Sequence, residues 1–476
     1  MDYKYFEDFV SGAEENGSLG MDPETITAFD ELKELASEPG EAHAIYLLGR
    51  FYELGIGIEQ DAQEGLNRII EAAEEGDAEA QYELGMRYYE GDGVTEDQVE
   101  SVKWFSEAAE QGDVWAQVML GACYEDGAGV EADMAEAIKL YRLAAGEENW
   151  LAQRFLGTCY EYGNGVAADL DEAESWYRKA VANGGDQETK DILAAFLRKK
   201  EGMILDELNS LIGLETVKKD VLRLFKFLRT QRKRREAGLN VPSMTYHSVF
   251  TGNPGTGKTT VARILAKIFA ATGVVQSDKL IEAGRSDLVG GYLGQTALKC
   301  NELVDSALDG VLFIDEAYSL VSSPDATQDP YGREAIETLL MRMENERNRL
   351  VVIVAGYTKE MEDFINSNPG LRSRFTRYFH FPDYTAEELV SIFEKMVADE
   401  EYTLSPSARK KASRVFGHVM DVKPKNFGNA RDVRKFCEEV FRRQAERIDD
   451  ATTEMTAVQL QQLRAVDIPD MFAVIK

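Results

Sequence analysis

The residues best placed to do chemistry lie in the second half of the chain. The stretch "SVFTGNPGTGKTT" (Ser248–Thr260) puts a short β-rich run before a Gly-x-x-x-x-Gly-Lys-Thr element, and "VARILAKIFA" after it reads as a helix. Strand, glycine loop and helix form the setting in which backbone amides close around phosphates. Gly252, Gly255 and Gly257 permit the tight loop, with Asn253, Pro254 and Thr256 between them. Lys258 would neutralise the β- and γ-phosphates of ATP, and the Thr259 hydroxyl would ligate Mg²⁺. Thr260 continues into the helix, whose N-terminus adds its dipole. Fifty-seven residues past Lys258, "GVLFIDEAYSL" carries four apolar residues into Asp315 and Glu316. Asp315 would hold Mg²⁺, usually through water, and Glu316 would polarise the attacking water. A strand ending in a solvated acidic pair is the plain alternative. Pairing with the phosphate loop decides against it.

Three further segments carry candidates. In "SNPGLRSRF" (367–375), Asn368, Pro369 and Gly370 make a turn before Arg372 and Arg374. An arginine projected into a neighbour's phosphate site stabilises transition-state charge. Two surface arginines paired with acids is the alternative. In "NFGNARDVRKF" (426–436), Arg431 starts a helix. In "GGYLGQTA" (290–297), Tyr292 and Leu293 stand between a glycine pair and Gly294, which suits a phosphate cradle, a tight turn feeding a core or a finger that touches something; the loop at 252–259 already fills the first role. The basic run "RTQRKRREAG" (229–238) reads better as the solvated end of the amphipathic helix 215–237 than as a nucleic-acid contact.

These residues need a scaffold, and the pattern supplies one. "KLIEAG" (279–284), "RLVVIVAGY" (349–357) and "YFHFPDY" (378–384) join the strands at 248 and 310 as five short candidates separated by helices. A parallel sheet with nucleotide at its strand ends is expected.

The first half is different in kind. Shifted by 36 residues it overlays itself: "LLGRFYELGIGI" (47–58), "ELGMRYYEGDGV" (83–94), "MLGACYEDGAGV" (119–130) and "FLGTCYEYGNGV" (155–166) are in register. Gly49, Gly85, Gly121 and Gly157 recur, as do Asp61, Asp97, Asp133 and Asp169. Each unit reads as helix, Gly-x-Gly turn, helix, and such units bury their faces only by stacking. Trp104, Leu140 and Trp176 share one repeat position, with Arg68 in the first copy, and are expected in the core.

Bulk properties set limits. The 476 residues allow two or three domains at roughly 150 residues each. The net charge of −32 divides into −30 over residues 1–200 and −2 over 201–476. An acidic body disfavours nucleic acid and anionic membrane, and suits either plain solubility or a basic protein partner. No apolar run approaches the roughly 18 residues of a membrane span. Four dispersed cysteines (Cys123, Cys159, Cys300, Cys437) without a CxxC pair, and an acidic start without a signal peptide, lead to the expectation of a reducing cytoplasm.

Together "GNPGTGKTT", "DLVGGYLGQTA", "VLFIDEAY", "VVIVAGY", "SNPGLRSRF", "FPDY" and "GNARDVR" resemble the AAA+ ATPases over about 204–448. The resemblance is to the branch that holds the Rubisco activase CbbX, the sporulation ATPase SpoVK and the EccA ATPases of type VII secretion. The first half resembles Sel1-like repeats, cousins of tetratricopeptide repeats. The implied architecture is an α solenoid followed by an α/β phosphate-loop module with a helical lid. Its expected divisions are a helical cap at 1–41, four repeats at 42–185, a capping helix and linker at 186–203, the nucleotide-binding subdomain at 204–385, the lid at 386–448 and a tail at 449–476. The resemblance also implies roles. Ile212, Gly213 and Leu214 would pack on adenine, Arg374 (or else Arg372) would be the arginine finger, and Arg431 would be the second sensor. Tyr292, Leu293 and Gly294 would line a central pore. A ring is implied, typically a hexamer, with the repeats binding a protein substrate or adaptor. Three readings are open: a remodelling ATPase, a nucleotide-gated scaffold and, least favoured, a nucleic-acid motor.

Overall fold

The computed structural model describes residues 3–16, 21–242, 244–292, 295–321, 329–422, 424, 427–450 and 456–470. The chain forms two compact units, Met1–Arg198 and Lys199–Lys476.

The first unit is helical throughout its described residues. Helices Lys4–Asn16 and Pro23–Leu35 precede four helix pairs, from Ala42–Leu54 with Ala62–Glu74 to Trp150–Tyr162 with Leu170–Ala182. The recurring aspartates are helix caps. Asp61, Asp97, Asp133 and Asp169 each accept hydrogen bonds from the second and third amides of the helix they precede. The recurring glycines allow close helix packing: a methyl group built on Gly85, Gly121 or Gly157 would lie 2.6 Å from the ring of Phe105, Tyr141 or Tyr177. Those rings, with Ile69 in the first pair, are the true core positions, at most 1% exposed. The tryptophan position is one residue off that axis. Trp104 and Leu140 are buried at its edge, but Trp176 is only half-buried, with Lys179 over its ring. Spacing alone could not choose between adjacent apolar residues; the glycine opposite chooses.

The second unit is built on a five-stranded sheet: β1 (Ser248–Thr251), β2 (Leu280–Ala283), β3 (Gly310–Ile314), β4 (Leu350–Gly356) and β5 (Arg377–His380). The order is β2-β3-β4-β1-β5 and every pairing is parallel. Both faces are covered, so β3 and β4 are apolar without alternation. Val311 and Phe313 enter the core shared with the lid, while Leu312 and Ile314 enter the opposite one. The lid comprises helices Ala386–Asp399, Pro406–Val422 and Ala430–Asp449, locked by the rings of Phe393, Phe416 and Phe436.

Two expected boundaries need correction. The expected boundary at 203/204 falls inside the helix Gln187–Asn209. Ile204 and Leu208 give its last turns an apolar stripe that buries in the second unit's core, and Gly202 alone does not break it. Nor do the described residues of the expected tail at 449–476 stand apart from the lid. Strand β6 (Thr403–Leu404) pairs with β7 (Gln462–Leu463), Leu463 and Ile468 are fully buried, and Asp467 pairs with Arg447 at 2.7 Å. The signal was a few apolar residues in "QQLRAVDIPD", too sparse to read as an element.

Candidate nucleotide site

Strand β1 delivers the chain into the loop Gly252–Gly257, and the helix Lys258–Ala271 comes next. The loop needs its glycines. Gly255 sits at φ 69°, and a methyl group there would lie 2.2 Å from the Gly428 carbonyl oxygen. The Gly252 amide donates to the Gly356 carbonyl at 3.0 Å, which fixes the loop to the end of β4. Lys258 Nζ donates to the carbonyls of Gly252 and Asn253, both at 2.8 Å. Burial pulls its pKa below the ordinary lysine value, Asp315 opposes that shift, and Arg431 adds to it.

Asp315 and Glu316 emerge from the end of β3. Glu316 holds a left-handed backbone, φ 50°, with its amide donating to Asp315 Oδ1 at 3.0 Å. A non-glycine residue in that region is strained, and such strain clusters at functional sites.

A cavity of about 850 Å³ gathers these groups. Of the sequence candidates, Ile212, Leu214, Gly252, Pro254, Gly255, Gly257, Lys258, Thr259, Thr260, Asp315, Glu316 and Arg431 line it. Asn253, Thr256 and Gly213 do not. Asn253 turns its amide to Asp383, Thr256 is buried and bonds back to the Asn253 carbonyl, and Gly213 packs under Glu388. They shape the loop and its neighbour. Arg372 is exposed and Arg374 half-buried on the short helix Pro369–Arg374, and neither lines their own chain's cavity. Arg374 lies 3.4 Å from Glu344, and its buried Nε has no hydrogen-bond partner among the described residues. Tyr292 is 73% exposed, so its ring is not part of the core; Leu293 and Gly294 lie outside the described residues.

The sequence reading missed several lining residues: Tyr357 after β4, Tyr384 after β5, and Met396, Arg434 and Lys435 from the lid. Arg434 and Lys435 succeed Arg431 at helical spacing, a signal that was present in "RDVRK". The donors fit a nucleoside triphosphate. The loop Gly252–Gly257 borders the cavity at the start of the helix Lys258–Ala271, Lys258 offers a cation, and the apolar side chains of Ile212, Leu214 and Met396 suit a base. Thr259 and Asp315 are a fitting pair for Mg²⁺, which keeps most of its ligands as water and phosphate oxygen. Among the described residues no helix is long and apolar enough to cross a membrane.

Known proteins align with both units. Residues 248–383 match the ATPase family associated with various cellular activities (AAA), and 385–474 match the AAA lid domain. Sel1 repeats match at 42–77, 78–113, 116–148 and 150–185. The ESX-3 secretion system protein EccA3 of Mycolicibacterium smegmatis is 42% identical over 295 residues, 60% of this chain and 48% of that one. The chain thus spans about half the length of that relative. Stage V sporulation protein K of Bacillus subtilis is 42% identical over 51% of this chain and 74% of its own. Protein CbbX of Cereibacter sphaeroides is 45% identical over 52% of this chain and 80% of its own. A phosphate loop, an acidic strand end and a lid in one cavity, and two relatives matched over 74% and 80% of their length, converge: the chain belongs to the AAA ATPase family, in the branch of stage V sporulation protein K, CbbX and EccA3, and carries Sel1 repeats ahead of its ATPase module.

Proposed function

We propose that the protein is an ATP-hydrolysing remodeller of other proteins that works as a ring, typically a hexamer, and that its acidic repeats recruit the protein partner. The observation that carries the hydrolytic part is the convergence of Lys258, Thr259, Asp315, Glu316 and Arg431 on one cavity. Lys258 takes the β- and γ-phosphates in exchange for the loop carbonyls it now contacts. Mg²⁺ held near Thr259 and Asp315 supplies charge neutralisation when bound. Glu316 orients the attacking water, and Arg431 reports the state of the phosphates to the lid. Arg374 completes the site of a neighbouring subunit, which agrees with its position away from its own cavity. Exposed Tyr292 is the gripping residue of the pore, with Leu293 and Gly294 beside it. The −30 charge of residues 1–200 fits a basic partner segment.

Lys258→Ala and Glu316→Gln should each abolish phosphate release, and unchanged release in either would overturn the mechanism. Arg374→Ala should bind ATP yet turn it over poorly, and adding Lys258→Ala subunits should restore part of the rate. Glu316→Gln loaded with ATP should trap the partner, and that capture should weaken steeply with salt. Salt-insensitive capture would reject the acidic docking face.

A further inference from the structure

The loop that enters the last lid helix does more than present Arg431. Asn429 is fully buried, and its side chain makes no cap bond to the helix it precedes. Its contacts go instead to neighbouring elements. Oδ1 accepts the Tyr384 amide at 3.1 Å. Nδ2 donates to Asp383 Oδ1 at 2.8 Å and to the Pro254 carbonyl at 3.3 Å. Asp383 in turn accepts from Asn253 Nδ2 at 2.9 and 3.0 Å. Next to this cluster the Ala430 amide donates to the Gly255 carbonyl at 3.2 Å. Three segments therefore meet in one hydrogen-bonded node: the phosphate loop at 253–255, the exit of β5 at 383–384 and the lid entry at 428–430. Arg431 stands two residues beyond its centre.

The backbone sharpens the point. Asn429 sits at φ 48°, ψ −123°, a conformation that favours glycine. A buried amide with its bonds satisfied specifies one arrangement of the groups around it. Here it holds a strained turn against the loop that would carry the phosphates. Asn253, outside the cavity lining, is the far end of the same node.

We propose that Asn429 and Asp383 are positioning residues that latch the lid to the phosphate loop, so that a shift of residues 253–255 moves the lid and sets where Arg431 stands. The proposal rests on the nucleotide-binding reading of the cavity. Asn429 and Asp383 touch no reacting atom in this scheme; they act through Arg431 and the loop.

Asn429→Gly is the decisive variant, because glycine accepts the turn and deletes only the side chain. Asp383→Ala removes the hub, and Asn253→Ala cuts the exposed end of the node, where folding is not at risk. Hydrogen exchange of the helix Ala430–Asp449 without nucleotide reads the latch itself; binding of a fluorescent ADP analogue and ATP turnover read its consequence. The latch predicts faster exchange at the start of that helix in Asn429→Gly. It also predicts roughly tenfold weaker ADP binding and a fall in kcat as well as a rise in KM. In an Arg431→Ala background the same change should cost less than about threefold, since both act through one group. Asn253→Ala should show the same pattern more weakly. Wild-type exchange in Asn429→Gly, or a full effect on top of Arg431→Ala, would overturn the latch. A wild-type protein that binds no ADP would instead remove the nucleotide reading, while the exchange result would still judge the link between lid and loop.

Discussion

In the repeat unit, Gly85, Gly121 and Gly157 sit inside helices where a facing ring presses on them; in the ATPase unit, Gly255 sits in a loop at positive φ. Gly121 has helical geometry and no need of positive φ, and it is small because the Tyr141 ring is there. Gly255 has φ 69° and lies against the Gly428 carbonyl. At these positions the same residue therefore serves helix packing in one unit and the shape of the glycine loop in the other. One set of changes should cost stability alone, and the other should cost function first.

The largest expected effect tests the second half of that statement. Gly255→Ala should weaken nucleotide binding and turnover by about 100-fold or more, since the loop cannot close around phosphate. Hydrogen exchange across residues 42–185 should be unchanged. Loss of protection in both units would show that the loop glycine holds the fold rather than the ligand.

Titration offers a second contrast. His247, just before β1, is buried and accepts the Val352 amide of β4 on Nδ1. Burial pushes its pKa down to about 4, and the Arg374 charge adds to the fall. A lowered folded-state pKa means that stability is present above pH 6.5 and is lost as pH drops toward 4, by up to about 3 kcal/mol. His43 has the opposite sign. Burial works against its charge, but Asp77, Glu79 and Glu7 together hold its pKa above the ordinary value. Its contribution is complete below pH 6.5 and fades as pH rises through the raised value. Glu53, Glu79 and Asp113 of the same unit are raised mainly by burial, so they too favour the folded repeats at lower pH. Between pH 7 and 5, exchange should slow in the repeats relative to the ATPase unit. Parallel acceleration in both would break the contrast. Gly121→Ala comes next in size: about 2 kcal/mol from overpacking against Tyr141, with ATP turnover per molecule retained.

Legibility in the sequence divides along the same line. The repeat was readable because a period of 36 brings Gly49, Gly85, Gly121 and Gly157 into register. Which of two adjacent apolar residues faces that glycine was not readable, since the choice between Trp176 and Tyr177 lies in the contact across helices. In the ATPase unit, the phosphate loop and Asp315–Glu316 were readable because phosphate chemistry restricts both residue type and spacing. Asn429 and Asp383 were not singled out, because an amide and a carboxylate acquire that role only when β5 and the lid meet. The return of β7 to β6 was hidden for the same reason: two residues of pairing and two buried aliphatics leave no periodicity.

The smallest effect gives the sharpest comparison, because the repeats already contain the control. At the ring position opposite the helical glycine stand Ile69, Phe105, Tyr141 and Tyr177. Tyr141 donates to Glu125 at 2.7 Å and Tyr177 to Glu161 at 3.0 Å. The residue in register with those glutamates, opposite Phe105, is Tyr89. Tyr141→Phe therefore keeps the ring, whose packing on Gly121 the fold requires, and removes only a hydroxyl whose partner is half-exposed and can turn to water. The expected loss is about 1 kcal/mol or less, read as faster exchange confined to the third and fourth helix pairs. Tyr141→Phe combined with Glu125→Tyr reproduces the residue pair of the preceding repeat and should recover part of that loss. Should Tyr141→Phe instead cost as much as Gly121→Ala, the hydrogen bond and not the ring would set the helix spacing, and the packing account of the repeat glycines would fail.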